Sequence, residues 1–454
     1  MALAGLVALL HGVPAIATPQ LAASPSSGVF DEPITVRVTG AEPGVAVVIR
    51  ASFTDQRGHE WFAEGQYFAS AQGAVDTGSD VSVGGSFTGA GAAQLLCSVL
   101  PVRAEQLAAH ISELSTAEEA LISPAFVDSR PVEIKLQALI DGAPLPPVSA
   151  VRGYAAPDVV QQEIETSEVK GVFYTPRARQ AGRAVLVIGG SGGGVPWQSA
   201  AMLASRGHAA LALAYFAYGD LPADLVEVPL ERFAAASRWL RQRTSARQIA
   251  VLGASRGSEA AQLVAVHFPE GIDRVILSAP SHLVHGGFGM TVKGPKAAWT
   301  LRGKPVPFAP TGAAGAASMR AYREQSTRAP GFVGTPYYLQ AWNSPEVADA
   351  YGIPVERIGG RVLAIAGAAD TMWPSWIGAE RIRERMIAEG RGGHIETVLL
   401  AGAGHIVSLP PFANAMSGFV IHPVTKGFVS VGGTPAHNCA AKFIAWRRIL
   451  EFIR

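Results

Sequence analysis

Cysteine is nearly absent from this chain: its 454 residues include only two, Cys97 and Cys439, in opposite halves of the sequence. Two cysteines so far apart lack the short spacings of zinc sites and the density of disulfide-stapled domains. They therefore exclude a disulfide framework and a cysteine-based metal centre. We expect each to be a small buried residue rather than a nucleophile, because cysteine packs as a small hydrophobe.

An excess of charge of either sign is also missing. The chain has 37 Lys and Arg against 36 Asp and Glu, a net charge of +1, and only 16% of its residues are charged. Nucleic acids and other polyanions bind clustered basic residues, so we exclude them as partners. Hydrophobic residues make up 48% of the chain, a globular composition that can bury the cores of two or three domains.

Long apolar runs are missing as well, so no integral membrane association is predicted. One short run, Leu3–Leu10, is followed by Ala15-Ile16-Ala17, which resembles a signal-peptide cleavage site. These features predict a signal peptide over residues 1–17, although no Lys or Arg precedes Arg37. The protein is then periplasmic or secreted; without a signal it is cytoplasmic. A misassigned start and a frayed apolar arm are the alternatives.

The remaining sequence changes character near residue 155. Residues 18–155 hold short alternating runs, such as Ile34–Val38, between turn signals, and these predict a β-sandwich domain. Residues 156–454 alternate apolar strands with helical stretches, which predicts an α/β-hydrolase domain with a doubly wound, mostly parallel sheet. Residues 280–359 interrupt that alternation and predict a long irregular insertion, which over the carboxyl ends of a sheet is usually a lid or pocket wall. A structural excursion without substrate contact is the alternative.

The second half is organised around Gly253 to Gly257, which reads G-A-S-R-G. The apolar strand Gln248–Leu252 precedes this G-x-S-x-G and a run of helix formers follows it, as in a nucleophile elbow. Glycine on both sides leaves room for the backbones that cross at so sharp a turn. The Ser255 hydroxyl is then held above the sheet at a helix N-terminus, which favours developing negative charge. Because the chain has 50 glycines, a chance match is the alternative.

A nucleophilic serine needs a base, and the base needs an orienting acid. In α/β-hydrolases the acid and then the histidine follow the serine along the chain. Asp370 comes just past the strand Val362–Ala366, and His405 lies on a glycine-rich loop after the next strand. We therefore predict Ser255, Asp370 and His405 as a catalytic triad. The competing residues are less well placed in the strand order: Glu380, Glu384, His394, His422 and His437.

An oxyanion hole needs two preorganised N–H donors. Arg256, directly after the nucleophile, supplies one, and the loop Gly189–Gly194 should supply the other from Ser191 or Gly192. A phosphate cradle is the alternative for this loop, although it lacks the G-K-[ST] ending of a P-loop. The Arg256 side chain has two alternative roles: substrate binding through an anionic group, or an ion pair with Glu259.

Several short motifs are spread over residues 21–454. They are Ser24–Ser27 with Phe30–Pro33, Gly85–Gly89, Leu213–Phe216 with Leu221-Pro222, Trp299 with Arg302–Pro305, Trp373–Ser375, Gly404-His405 and Gly432–His437. Together they resemble the acyl-CoA thioesterase family that includes bile acid-CoA:amino acid N-acyltransferase. The resemblance implies a β-sandwich before an α/β-hydrolase domain. The elbow residue in that family is serine in thioesterases and cysteine in amino-acid acyltransferases, so Ser255 implies hydrolysis.

The sequence therefore predicts a serine hydrolase similar to the acyl-CoA thioesterases, working through an acyl-enzyme on Ser255. Its partner is a small-molecule acyl thioester or ester, and no metal or other cofactor is expected. Because an exported enzyme would rarely meet CoA, a carboxylesterase acting on small oxygen esters is the first alternative. A non-catalytic binding protein on a hydrolase scaffold is the second.

Overall fold

The structure is a computed structural model that describes residues 18–102, 124–177, 183–310, 312–408 and 418–454. The predicted signal peptide, residues 1–17, lies outside the described residues and stays a prediction. None of the helices in the described ranges has the length and apolar character needed to cross a membrane.

In its described residues, 18–102 and 124–155, the N-terminal region consists mainly of β-strands, with one short helix, α1 (Gln94–Cys97). The strands are β1 (Gln20–Ser24), β2 (Ser27–Val29), β3 (Thr35–Thr39), β4 (Ala46–Thr54), β5 (Glu60–Phe68), β6 (Val75–Asp76), β7 (Val81–Ser82), β8 (Gly84–Gly85), β9 (Gly89–Ala90), β10 (Leu100–Pro101), β11 (Val132–Ile140), β12 (Ala143–Pro144) and β13 (Val148–Gly153).

The β-strands of this region form layers around one core, as the sequence predicted. A three-stranded sheet has the order β1-β3-β6, and a larger sheet runs β10-β5-β4-β11-β13-β2. Along β4, alternate residues such as Val47 and Ile49 are buried, because one face of the strand lies on the core. They share that core with Val36 and Val38 of β3.

The second region alternates strands and helices. Its strands are β14 (Val159–Glu165), β15 (Lys170–Pro176), β16 (Ala184–Ile188), β17 (Ala210–Ala214), β18 (Val228–Pro229), β19 (Ile249–Ala254), β20 (Ile272–Ser278), β21 (Trp299–Leu301), β22 (Lys304–Pro305), β23 (Arg361–Gly367), β24 (Ile395–Leu400), β25 (Phe419–Ile421) and β26 (Phe428–Ser430). Its α-helices are α2 (Trp197–Ser205), α3 (Leu230–Thr244), α4 (Arg256–His267), α5 (Gly312–Gln325), α6 (Thr335–Trp342), α7 (Pro345–Tyr351), α8 (Ser375–Ala388) and α9 (Pro435–Phe452), and 3-10 turns span Val355–Arg357 and Gly392–His394.

An eight-stranded sheet in the order β14-β15-β17-β16-β19-β20-β23-β24 forms the centre of this region. The strands from β17 to β24 run parallel, whereas β14, β15 and β17 pair antiparallel. β16 and β17 are buried along their whole length, as strands covered on both faces must be. This is the α/β-hydrolase architecture that the sequence predicted; the domain boundary at residue 155 stays a prediction.

Helices cover both faces of this sheet. Val185 and Val187 of β16 cluster with α2 and α9, and that cluster continues into the core of the N-terminal region. Leu186 and Ile188, which point the other way, cluster with α3, α4 and α8. With both faces covered, the carboxyl edge of the parallel strands is where a site can form.

The insertion predicted at residues 280–359 lies between β20 and β23. It is more regular than expected, because it contains β21, β22 and the helices α5, α6 and α7. Both α6 and α7 have proline in their first turn, where proline starts a helix rather than breaking it. Trp342 of the insertion packs with Trp373, which follows β23. A lid function for this segment stays a prediction.

A disulfide joins Cys97 and Cys439, whose Cα atoms lie 5.6 Å apart. The expectation of two separate cysteines was therefore wrong. The fold brings α1 of the N-terminal region against α9, and pairing across a separation of 342 residues leaves no mark in local spacing. Asp31 connects the same regions, since it accepts hydrogen bonds from Arg206 and from the Trp446 indole.

Candidate active site

Ser255 occupies the sharp turn between β19 and α4 that the G-x-S-x-G pattern predicted. Its φ is 53° and its ψ −123°, a backbone conformation that is strained for any residue except glycine. A Cβ added at Gly257 would lie 2.3 Å from the Gly189 carbonyl oxygen, and one at Gly253 would lie 2.2 Å from that of Gly257. The flanking glycines are therefore required by close backbone contact, which makes a chance match of the pattern untenable.

Asp370 and His405 are hydrogen-bonded to each other at the same edge of the sheet. Asp370 follows β23, and its Oδ2 lies 2.7 Å from His405 Nδ1 and 2.6 Å from the Ser375 hydroxyl. Its Oδ1 accepts the N–H groups of Met372 and Trp373 at 2.9 and 3.3 Å. Four donors thus surround a carboxylate that is only 2% exposed. An ionised carboxylate only accepts, so His405 carries its proton on Nδ1.

The loop that carries His405 is held in place by the start of α9. Asn438 accepts the Gly404 N–H at 2.8 Å, and the His405 N–H donates to the Val431 carbonyl at 2.7 Å. The ring of Trp373 packs against the imidazole, with centroids 5.9 Å apart. His405 Nε2 is buried and has no hydrogen-bond partner among the described residues. With Nδ1 protonated, this nitrogen has a free lone pair and is able to accept a proton.

The structure brings Asp370 and His405 into contact and places Ser255 at the carboxyl end of β19, two strands from β23 in the sheet. Within the described ranges, no hydrogen bond joins Ser255 Oγ to His405 Nε2. Such catalytic hydrogen bonds are often long without substrate and shorten when it binds. The three residues thus follow the strand order predicted for a triad, and the hydrogen bond between Asp370 and His405 is formed. The catalytic roles of Ser255, Asp370 and His405 stay a prediction.

The loop Gly189–Gly194 lies directly beside the nucleophile. A Cβ added at Gly190 would lie 3.0 Å from Ser255 Cβ. The Tyr215 hydroxyl is 2.7 Å from the Gly189 carbonyl oxygen and 3.2 Å from that of Gly190. The N–H groups of Gly193 and Gly194 donate to backbone carbonyls. These contacts fix the loop against the elbow.

The N–H groups that were predicted as oxyanion donors belong to Ser191, Gly192 and Arg256. Those of Ser191 and Gly192 have no acceptor in the part of the chain that the structure describes. Arg256 is the first residue of α4, and the first N–H groups of a helix have no intrahelical acceptor. The oxyanion role of Arg256, Ser191 and Gly192 stays a prediction, and so does the choice between the last two.

The Arg256 side chain forms the internal ion pair that was the alternative to substrate binding. Its Nε lies 2.7 Å from Glu259 Oε1, and its two terminal nitrogens donate to the carbonyls of His285 and Gly286 at 3.0 Å. Glu259 is fully buried, and it also accepts the Trp299 indole N–H at 3.2 Å. Burial raises the pKa of Glu259, while Arg256 opposes that rise. The structure therefore supports the second of the two alternatives, the ion pair with Glu259, and adds contacts to the insertion. Substrate binding by Arg256 stays a prediction.

Replacing Arg256 with leucine should therefore cost stability. The change leaves Glu259 buried without its cation, which typically lowers the free energy of unfolding by about 3 to 5 kcal/mol. We expect the midpoint of thermal unfolding to fall accordingly. The kinetic constants for anionic and neutral substrates should change alike, because Glu259 and two backbone carbonyls already hold the guanidinium.

Arg381→Leu is the matched control, because it removes one partner of an i,i+3 pair with Glu384 that is exposed to solvent. Arg381→Leu should lower the free energy of unfolding by less than about 1 kcal/mol. Equal losses for Arg256→Leu and Arg381→Leu would contradict the structural role of the buried pair. So would a rise in KM confined to anionic substrates.

Three supporting residues were missed by the sequence prediction. Ser375 and Asn438 hold Asp370 and the His405 loop; Ser375 lies in a motif that the family resemblance had singled out, and Asn438 directly follows another. His422, weighed as a competing base, hydrogen-bonds to the Ser191 side chain instead.

In the described ranges, no group of three or more His, Cys, Asp or Glu is arranged to hold a metal ion.

Two family models match this chain. The model described as acyl-CoA thioester hydrolase/BAAT N-terminal region matches residues 31–166, and the model described as BAAT/acyl-CoA thioester hydrolase C terminal matches residues 228–454. The chain belongs to the acyl-CoA thioester hydrolase/BAAT family. The C-terminal match of this family member includes Ser255, Asp370 and His405, while the loop Gly189–Gly194 falls between the two matches.

Relatives of this family member align over nearly their whole length. Acyl-coenzyme A amino acid N-acyltransferase 2 of Rattus norvegicus is 28% identical, covering 96% of this chain and 97% of its own. Bile acid-CoA:amino acid N-acyltransferase of Mus musculus is 26% identical, with the same coverage of both chains. Acyl-coenzyme A thioesterase 1 of Homo sapiens is 27% identical and covers 93% of each chain. Family membership and the hydrolase fold together support an enzyme of the hydrolase class.

Proposed function

We propose that this chain hydrolyses acyl thioesters through an acyl-enzyme on Ser255. The observation that carries the proposal is the buried Asp370–His405 pair, in which His405 Nε2 has no hydrogen-bond partner among the described residues. Ser255 stands on its elbow at the same edge of the sheet. A histidine held in this tautomer is the base that a serine hydroxyl requires.

Acylation begins when Ser255 Oγ bonds to the acyl carbonyl carbon and gives its proton to His405 Nε2. Asp370 stabilises the imidazolium that results, since it is held ready by its other donors. The carbonyl oxygen becomes an oxyanion, which accepts N–H groups from Arg256 and from Ser191 or Gly192. When the intermediate collapses, the carbon–sulfur bond breaks and the sulfur takes the proton from His405. The leaving group therefore departs as a thiol.

Deacylation repeats the sequence with water. His405 Nε2 removes a proton from a water molecule as its oxygen bonds to the acyl carbon. The second tetrahedral intermediate collapses, the ester bond to Ser255 breaks, and Ser255 Oγ regains its proton from His405. The products are a carboxylic acid and the free enzyme, with no net change in the triad.

Transfer of the acyl group to an amine is the second candidate, because two of the relatives reported above are N-acyltransferases. Both reactions share the same acyl-enzyme and differ only in what attacks it. The resemblance that associates an elbow serine with thioesterases favours water. Turnover of an acyl-CoA in the presence and absence of free amino acids tests this: hydrolysis predicts carboxylic acid in both, and N-acyl amino acid as the main product would contradict it.

The leaving group is tested by a panel that crosses acyl length with CoA, pantetheine and alcohol leaving groups. A thioesterase should prefer the thioesters at matched acyl length. A preference for oxygen esters would support the carboxylesterase alternative instead. No turnover of any member, together with no reaction of Ser255 with a fluorophosphonate, would support the non-catalytic alternative.

We propose that the chain works in the periplasm or outside the cell rather than in the cytoplasm. Support comes from the Cys97–Cys439 disulfide, because disulfides persist in oxidising compartments and are rare in the cytosol. Where CoA is scarce, such an enzyme meets other thioesters or oxygen esters, so the panel above bears on this proposal too.

The disulfide predicts that natively produced protein has no titratable thiol when unfolded without reductant, and two after reduction. Closing so long a loop typically contributes about 2 to 4 kcal/mol, so reduction should also lower the midpoint of thermal unfolding. The Cys97→Ser/Cys439→Ser variant should match the reduced protein. Two free thiols in the unreduced native protein would contradict both the disulfide and the proposed compartment.

A further inference from the structure

A hydrogen bond between Ser191 and His422 lies next to the proposed nucleophile. Ser191 Oγ is 2.9 Å from His422 Nε2. Ser191 directly follows Gly190, which lies against Ser255, and the pKa of His422 is lowered first by burial and also by the nearby charges of Lys426 and His405. His422 is 5% exposed, on the segment between β25 and β26. The bond therefore joins the hairpin of β25 and β26 to the loop Gly189–Gly194.

The surroundings of His422 decide which of its nitrogens carries the proton. Nδ1 faces the backbone N–H groups of Val424 and Thr425 at 3.2 and 3.4 Å, so it acts as an acceptor. Burial lowers the pKa of His422 to about 4, which leaves the ring neutral at neutral pH. A neutral imidazole that accepts at Nδ1 carries its hydrogen on Nε2. His422 therefore donates to Ser191 Oγ.

This donation leaves the hydroxyl hydrogen of Ser191 available. A serine hydroxyl has one hydrogen to donate and lone pairs to accept with, and His422 takes a lone pair. The described residues provide no acceptor for the hydrogen itself. Accepting one hydrogen bond also polarises the hydroxyl and strengthens the bond that it donates. The side chain is thus a donor without an internal acceptor, one residue from the glycine that touches Ser255.

We infer that the Ser191 hydroxyl is a side-chain donor to the oxyanion, in addition to the backbone N–H groups, and that His422 is the positioning residue that directs it. The inference rests on the proposed function. As Ser255 Oγ bonds to the carbonyl carbon, the carbonyl oxygen gains the electron pair and accepts a hydrogen bond from Ser191 Oγ–H. No proton is transferred in this contact, and the covalent steps are unchanged.

The test compares Ser191→Ala, Ser191→Thr and His422→Phe with the wild type, using a p-nitrophenyl ester and a trifluoromethyl ketone with the same acyl group. Loss of one oxyanion donor typically lowers kcat about 10²-fold. We expect that loss in Ser191→Ala, with a similar weakening of ketone binding and KM within about twofold, since ground-state binding does not use an oxyanion donor. Ser191→Thr should restore most of kcat. His422→Phe should lower kcat by a smaller factor than Ser191→Ala does. The double variant should have nearly the same kcat as Ser191→Ala alone.

Ser430→Ala is the matched control, because it removes another hydroxyl contact of the hairpin, to Thr371 at 2.8 Å, away from the elbow. It should leave kcat unchanged. Equal losses of kcat in Ser430→Ala and Ser191→Ala would show that the Ser191–His422 hydrogen bond only holds the hairpin in place, and this would overturn the inference. So would wild-type kcat and ketone affinity in Ser191→Ala. If hydrolysis survives Ser255→Ala, the proposed function fails first and the inference fails with it.

Discussion

Ser255→Ala should lower kcat/KM for hydrolysis by a factor on the order of 10⁴ to 10⁶, as removal of the nucleophile does in other triads. The variant keeps the oxyanion donors and the binding surface but loses the oxygen that forms the acyl-enzyme. It should fold normally, since the strained backbone at residue 255 is held by the close contacts of Gly253 and Gly257. Steady-state kinetics on the preferred substrate of the panel measures the effect.

Ser258→Ala is its matched control. Ser258 lies in the first turn of α4, directly after the elbow; it is fully buried, and its hydroxyl has no hydrogen-bond partner in the described ranges. Removing an unpaired buried hydroxyl costs little, so activity and stability should stay close to those of the wild type. Retention of most activity by Ser255→Ala, or an equal loss in Ser258→Ala, would contradict the role of Ser255.

Asp370→Asn should lower kcat by a factor of about 10⁴. The geometry around the carboxylate gives the reason. Oδ1 faces the N–H groups of Met372 and Trp373, so the carbonyl oxygen of an asparagine would take that position. The amide NH₂ would then occupy the place of Oδ2 and donate to His405 Nδ1. His405 would carry its hydrogen on Nε2 and could no longer accept the proton of Ser255.

Ser375→Ala separates this tautomer effect from a simple loss of support. It removes one hydrogen bond to Asp370 Oδ2 but leaves the carboxylate, so we expect a loss of no more than about tenfold in kcat. Circular dichroism and thermal unfolding check that Asp370→Asn folds. A wild-type kcat in Asp370→Asn would exclude Asp370 as the orienting acid, as would equal losses in both variants.

The elbow and the order of Ser255, Asp370 and His405 could be predicted because each depends on local sequence. A strand, a G-x-S-x-G turn and a helix follow one another along the chain, and an acid and a histidine follow two later strands. Parallel strands bring their carboxyl ends to one edge, so the sequence order alone implies that the three side chains meet there.

Contacts between distant segments could not be predicted in this way. The disulfide depends on α1 packing against α9, and no local pattern reports that contact. The two roles open to Arg256 differ only in the rotamer of one side chain, so the structure was needed to show that it pairs with Glu259. His422 was weighed only as a base, because its hydrogen bond to Ser191 spans 231 residues.

The three helices of the insertion were missed for a different reason. Helices α6 and α7 are short, and their apolar residues pack in a small cluster around Trp342 and Trp373 instead of the main core, so they give little helical periodicity to recognise. The same cluster packs against His405 through Trp373, which places the insertion beside the site.

Trapping the acyl-enzyme tests directly whether hydrolysis proceeds through an acyl group bound to Ser255. The enzyme is mixed with its preferred substrate, quenched in acid within the first turnover and digested, and the mass of each peptide is measured. We expect one acyl group, on the peptide that contains Ser255, which is absent in Ser255→Ala and disappears on the timescale of turnover. An acyl group on another residue, or turnover at the wild-type rate with no acyl group on Ser255, would contradict this expectation.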